Sequence, residues 1–116
     1  MKSLFSLAVL AIVLVGANQS AKADPVIFFA NLSGPAEAPP NASPGTGTGI
    51  VTYDSTLHTL RVQVTFSGLL GNTTASHIHS ATASPLSGTA GVATRVPTFI
   101  GFPLGVTSGT YDMTFD

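Results

Sequence analysis

Cysteine is absent from this chain and charge is scarce: Lys and Arg number 4, Asp and Glu 5, and charged residues make up 8% of the whole. Without cysteine, neither a disulfide framework nor a thiolate metal site can form. Four basic side chains supply no patch able to hold nucleic acid through its phosphates. Helical signal is missing too, since no stretch beyond residue 24 keeps an apolar period of 3.6 over three turns. No glycine-rich loop leads into a helix that could cradle a phosphate. Five scattered acids supply no carboxylate pair for glycoside hydrolysis. Ser76 and His77 are adjacent on a β-prone segment, so they face opposite ways and cannot act as nucleophile and base. Disorder is excluded by the 44% apolar content, and 116 residues allow one small domain.

The chain opens with Met1-Lys2, an apolar run over residues 4–17 (LFSLAVLAIVLVGA), and the small-x-small pattern Ala21-Lys22-Ala23. That order predicts a secretory signal peptide, residues 1–23, cleaved after Ala23. Left uncleaved, it would anchor the same domain outside the cytoplasm. The mature product, residues 24–116, carries Arg61 and Arg95 against Asp24, Glu37, Asp54, Asp112 and Asp116, two basic and five acidic side chains, a net charge of −3. No later apolar run is long enough to span a bilayer, for which about 20 residues are needed. The expected location is secreted or periplasmic.

From residue 24 onward, short β-prone runs alternate with Gly, Pro, Ser and Asn. Strands are predicted over residues 26–32, 50–53, 60–66, 74–80, weakly 91–96, and 110–115. Residues 33–49 hold four prolines and read as an ordered surface loop or irregular edge. In the clearest strand, Leu60, Val62, Val64 and Phe66 point to a core while Arg61, Gln63 and Thr65 point to water. Phe28, Phe29, Phe66, Phe99, Phe102 and Phe115 are assigned to the core. The predicted fold is all-β, an antiparallel Greek-key-like β-sandwich.

Several of these segments together resemble one known family: Ala30-Asn31-Leu32-Ser33-Gly34, Glu37-Ala38-Pro39-Pro40, Thr46-Gly47-Thr48-Gly49, the strand 60–68, Ala75-Ser76-His77-Ile78-His79, and Gly101-Phe102-Pro103 through Ser108-Gly109-Thr110-Tyr111. The chain resembles the CHRD domain, named for its occurrence in chordin and common in exported bacterial proteins. Members usually carry a glycine where Ser80 stands here. They also continue into a second half with another histidine-bearing strand, so the resemblance implies a domain, residues 24–116, lacking its C-terminal part. It further implies an exported, non-enzymatic binding or interaction module with a protein ligand, because chordin sequesters bone morphogenetic proteins.

Only His77 and His79 form a constellation with chemical potential. At i and i+2 on a strand they share one face, about 7 Å apart at Cα, with Ile78 and Ser76 turned the other way. Two imidazoles so placed can reach one metal ion, and without thiolates the metal would be copper or zinc. Further ligands would come from His58, Asp54, Glu37 or Asp112, or from a histidine in the absent half. The alternative is a hydrogen-bonded or solvated pair ordered by nearby Ser and Thr hydroxyls. The Glu37-Ala38-Pro39-Pro40 segment reads as a recognition loop or as a rigid corner. Sequons at Asn31, Asn41 and Asn72 matter only in a eukaryotic secretory host.

Overall fold

A computed structural model describes residues 22–116. The expected signal peptide therefore lies outside the described residues, apart from its last two positions. Four strands form one antiparallel sheet: β1 (Val26–Ser33), β2 (Thr46–Asp54), β3 (Thr59–Ser67) and β4 (Gly109–Phe115), in the order β1-β2-β3-β4. The expected all-β, antiparallel fold is what is found, and among the described residues no helix is long and apolar enough to cross a membrane.

β3 is the organising strand, and its alternation is the one written in the sequence. Val62 and Phe66 are buried, Leu60 and Val64 are half-buried beside them, and Arg61 and Thr65 are exposed. The register carries that parity across the sheet. Phe28 faces Val51, Val51 faces Val62 and Val62 faces Met113, while Ala30, Gly49, Val64 and Tyr111 form the adjacent row. All of these side chains share one face. The opposite face is polar over β3 and β4, where Asp112, paired with Gln63, receives both forks of the Arg61 guanidinium, Nε to Oδ1 at 2.8 Å and Nη2 to Oδ2 at 2.6 Å. The Gln63 amide adds a third bond at 3.2 Å. The Arg61 hydrogen bonds and positive charge, with help from Gln63, hold the Asp112 carboxyl below its ordinary range, and Asp112 in turn raises Arg61.

β2 starts four residues before the strand read from sequence, taking in Thr46-Gly47-Thr48-Gly49. The glycines are there to make room. A Cβ on Gly47 would stand 2.6 Å from the Thr65 carbonyl oxygen and 3.1 Å from Phe66 Cβ, so only glycine can lie across from Phe66. The proline-rich stretch before it is the expected surface loop, opened by a short 3₁₀ turn (Gly34–Ala36) and fastened by Asn41 N–H donating to the Gly34 carbonyl at 2.9 Å. At the β2–β3 hairpin, Asp54 Oδ1 accepts from the N–H groups of Thr56 and Leu57 at 2.8 and 2.9 Å, a side-chain-closed turn that ends in His58 at φ 56°.

Residues 68–108 fold back across the apolar face in place of a regular second sheet. The segments expected as strands over 74–80 and 91–96 are extended but share a single bridge, His79 with Val92. Threonine hydroxyls take over the work of a ladder: Thr98 Oγ1 accepts Ser76 N–H and Thr94 Oγ1 accepts Ile78 N–H, both at 2.9 Å. Backbone bonds from Ser80 to Gly91 and from Ala93 to Ile78 complete the seam. The Greek-key-like second sheet of the expected sandwich is represented by this irregular layer.

The layer is pinned to the sheet by Phe99, which is buried with Val62 and Tyr111 and surrounded by Ile78, Phe102, Met113 and Phe115. Phe99 lies 6.1 Å from Tyr111 and 5.5 Å from Phe115 between ring centres, and Phe102 stacks on Phe66 at 5.7 Å. Tyr111 donates its hydroxyl to the Ile100 carbonyl at 2.8 Å, and burial pushes its phenol upward. Core formation is confined to the β3–β4 half of the sheet. Phe28 and Phe29, assigned to the core from sequence, are exposed: the covering layer does not extend over Phe28, and strand alternation puts Phe29 on the opposite, polar face with Gln63 and Asp112.

Candidate functional site: an apolar trough beside a histidine pair

Because the layer covers β3 and β4 but stops short of β1, a trough of about 850 Å³ opens between them. Its floor is the sheet, with Phe28, Gly49, Val51 and Val64. Its far wall is Ile78, Phe99 and Phe102, and His77, His79 and Glu37 also line it. The depth over β2 comes from Gly49, which puts no side chain into the row where Val64 stands on β3. Sequence reading marked this stretch as loop-like, so the signal that would have found the trough is the placing of Gly49 opposite Val64.

His77 and His79 are brought together as their spacing requires, with ring centres 6.4 Å apart and planes nearly perpendicular. Ile78 between them packs on the core, as predicted. Each imidazole is oriented by one backbone carbonyl. His77 Nε2 donates to Pro97 O at 2.6 Å, and His79 Nδ1 donates to Ala90 O at 2.7 Å. A carbonyl only accepts, so in the neutral rings the proton sits on those nitrogens, and His77 Nδ1 and His79 Nε2 keep their lone pairs. This is the outer-shell arrangement that fixes the tautomer of a metal-ligating histidine.

The proposed further ligands do not join them. Among the described residues no group of three His, Cys, Asp or Glu side chains is close enough to hold a metal ion. Asp112 belongs to the opposite face of the sheet and is engaged by Arg61. Asp54 closes the hairpin turn with one of its oxygens, and His58 stands in that turn, exposed. Glu37 lines the same trough, exposed at its edge. What the site offers is two fixed imidazole acceptors beside an apolar concavity. The residues sequence reading missed are Thr94 and Thr98, whose hydroxyls hold the histidine strip in place.

Comparison with protein families decides the kinship of this fold: residues 28–113 match the CHRD domain. The chain belongs to the CHRD domain family. Comparison with curated proteins and with solved structures found no match. The span that matches the CHRD domain takes in all of β2 and β3, most of β1 and β4, the covering layer and both histidines. Sheet, trough and histidine strip are thus parts of a single CHRD unit.

Proposed function

We propose that this CHRD domain is an exported, non-enzymatic binding module that holds an extended apolar segment of a protein partner in the trough. The observation that carries the reading is the trough itself. A water-facing concavity of this size, walled by Phe28, Val51, Ile78, Phe99 and Phe102 with a few polar groups at its margin, has the composition of a binding site. The signal-like N-terminus supports export, and the acidic balance of residues 24–116 supports a partner other than nucleic acid.

Gly49 provides the test, since it is buried in the trough floor and a Cβ there would meet only Ala30 Cβ at 3.6 Å. Gly49→Leu should fill the trough while the fold keeps or gains stability. The expected result is that the fluorescent apolar probe anilinonaphthalene sulfonate binds the folded wild-type chain and loses most of its signal with Gly49→Leu, both proteins melting cooperatively. A cooperatively folded wild type that binds no probe would overturn the reading.

A second reading rests on the lone pairs left at His77 and His79: capture of one Cu(II) or Zn(II), with solvent completing the coordination. Calorimetric titration should show one Cu(II) per chain, lost in the His77→Ala/His79→Ala protein. Equal binding by that variant removes the reading.

A further inference from the structure

The two edges of the sheet are not equivalent. β4 has its apolar side chains under the covering layer, where Tyr111 is buried and Met113 and Phe115 are half-buried. Among the described residues β1 has neither a covering layer nor an outer neighbour, and none of its residues makes a backbone hydrogen bond outside the β1–β2 ladder. Its first four residues are all large and apolar, and all are exposed on both faces: Val26 50%, Ile27 52%, Phe28 57% and Phe29 78%. Natural sheets blunt such an edge with lysine, proline, a bulge or an inward charge. Val26–Ser33 contains no charge and no proline, its pairing with β2 runs without a bulge, and Pro25 lies just outside.

We propose that β1 pairs antiparallel with β1 of a second copy of this chain, about a two-fold axis perpendicular to the sheet through Phe29, to give a continuous eight-stranded sheet. The strand is complementary to itself in that register. An antiparallel two-fold places directly opposed residues on the same face, so Phe29 meets its own mate on the polar face. On the trough face Phe28 stands across from Ala30 and Val26 from Leu32, large against small or apolar against apolar. Moving the axis to Phe28 would set Pro25 against Asn31 inside the ladder instead of against Ser33 at its end. Moving it to Ala30 would set the most exposed ring, Phe29, against Asn31. No like charges oppose each other, because the two copies of Asp24 end up about 34 Å apart along the strands, well beyond the screening length of about 8 Å.

The area is sufficient. With about 200 Å² per aromatic side chain, the exposed parts of Phe28 and Phe29 amount to about 270 Å² per copy. Val26, Ile27 and the backbone edge bring the two copies together to at most about 1,200 Å², the lower end of specific interfaces. The dimer would set the two troughs side by side, and a ligand spanning both would gain from being held twice.

The chain has no cysteine, so one introduced thiol reports the geometry cleanly. Opposed residues of an antiparallel pair lie about 4.5–5.5 Å apart at Cα, inside the range a disulfide bridges. In protein purified from expression of the full-length chain, Phe29→Cys should oxidise to a covalent dimer, whereas Thr65→Cys, exposed on the same face in mid-sheet, should not. Ile27→Cys and Asn31→Cys should each fail alone and cross-link when mixed. By sedimentation the wild type should be dimeric at about 100 μM, and Phe29→Lys should weaken association at least tenfold. A monomeric wild type at that concentration, cross-linking of the Thr65→Cys protein equal to that of the Phe29→Cys protein, or an unchanged dimer in a folded Phe29→Lys protein overturns the proposal. Should Phe29→Lys fail to fold, the cysteine variants decide the question alone.

Discussion

Phe99→Ala is the perturbation with the largest consequence, because Phe99 is the most deeply buried side chain by which the irregular layer is fastened to the sheet. Phe99 is 4% exposed and touches Val62, Tyr111 and Phe115 in the buried cluster that joins the two layers. Removing the ring returns about 130 Å² of apolar surface, about 3 kcal/mol at 25 cal/mol/Å². Loss of two aromatic contacts and an incompletely collapsed cavity raise the cost to about 3–5 kcal/mol. A chain of this size has a total stability of about 5–10 kcal/mol, so one substitution removes a third or more of it. The Phe99 N–H also donates to the Ser76 carbonyl, next to His77, so the histidine strip should loosen with it. Urea unfolding followed by far-ultraviolet circular dichroism and tyrosine fluorescence measures the change. Anilinonaphthalene sulfonate would report the strip parting from the sheet. A cost below about 1 kcal/mol, with an unchanged urea slope, would refute the view that this ring holds the layers together.

Two other outcomes follow from the sheet. Asp112 is depressed in the folded chain below its unfolded value, so the stability it contributes is present above about pH 4 and is lost as pH falls through the folded value. Asp112→Asn should therefore differ from wild type at neutral pH by a small amount that closes in acid and in about 1 M salt, as read by melting temperature across a pH series; a gap that widens in acid would show that the sign is wrong. Gly47→Val should destabilise the chain by about 2 kcal/mol or more, because the Thr65 backbone stands where the new side chain must go. Chemical denaturation of a Gly47→Val protein as stable as wild type would contradict the close approach of β2 to β3.

The parts of this fold legible in the sequence are those where a side-chain pattern and a backbone pattern coincide. β3 was readable because its alternation of apolar and polar residues decides which face is dry. The His77-Ile78-His79 grouping was readable because an extended backbone alone sets the two imidazoles on one side and Ile78 on the other. The start of β2 was not, since Thr46-Gly47-Thr48-Gly49 has the composition of a loop and becomes strand only because Phe66 on β3 needs the vacant space. Phe29 follows from alternation, since it cannot share a face with Phe28, but the exposure of Phe28 was hidden for a related reason. A hydrophobic strand looks the same whether or not another layer reaches it. The segments around Ile78 and Val92 have strand composition, yet the N–H groups of Ser76 and Ile78 are satisfied by Thr98 and Thr94, residues that no local pattern connects to them.

Those two threonines have a consequence for how such a domain can change over time. A strip hung from hydroxyl groups is adjusted position by position, whereas a strand locked in a ladder shifts as a whole and turns every side chain over when it slips by one residue. Thr98 holds the backbone just before His77 and Thr94 the backbone just before His79, so a substitution at either threonine shifts the strip locally while β3 and its buried row stay as they are. The sheet is then free to serve as an unvarying frame, and the surface it displays can be rewritten one residue at a time.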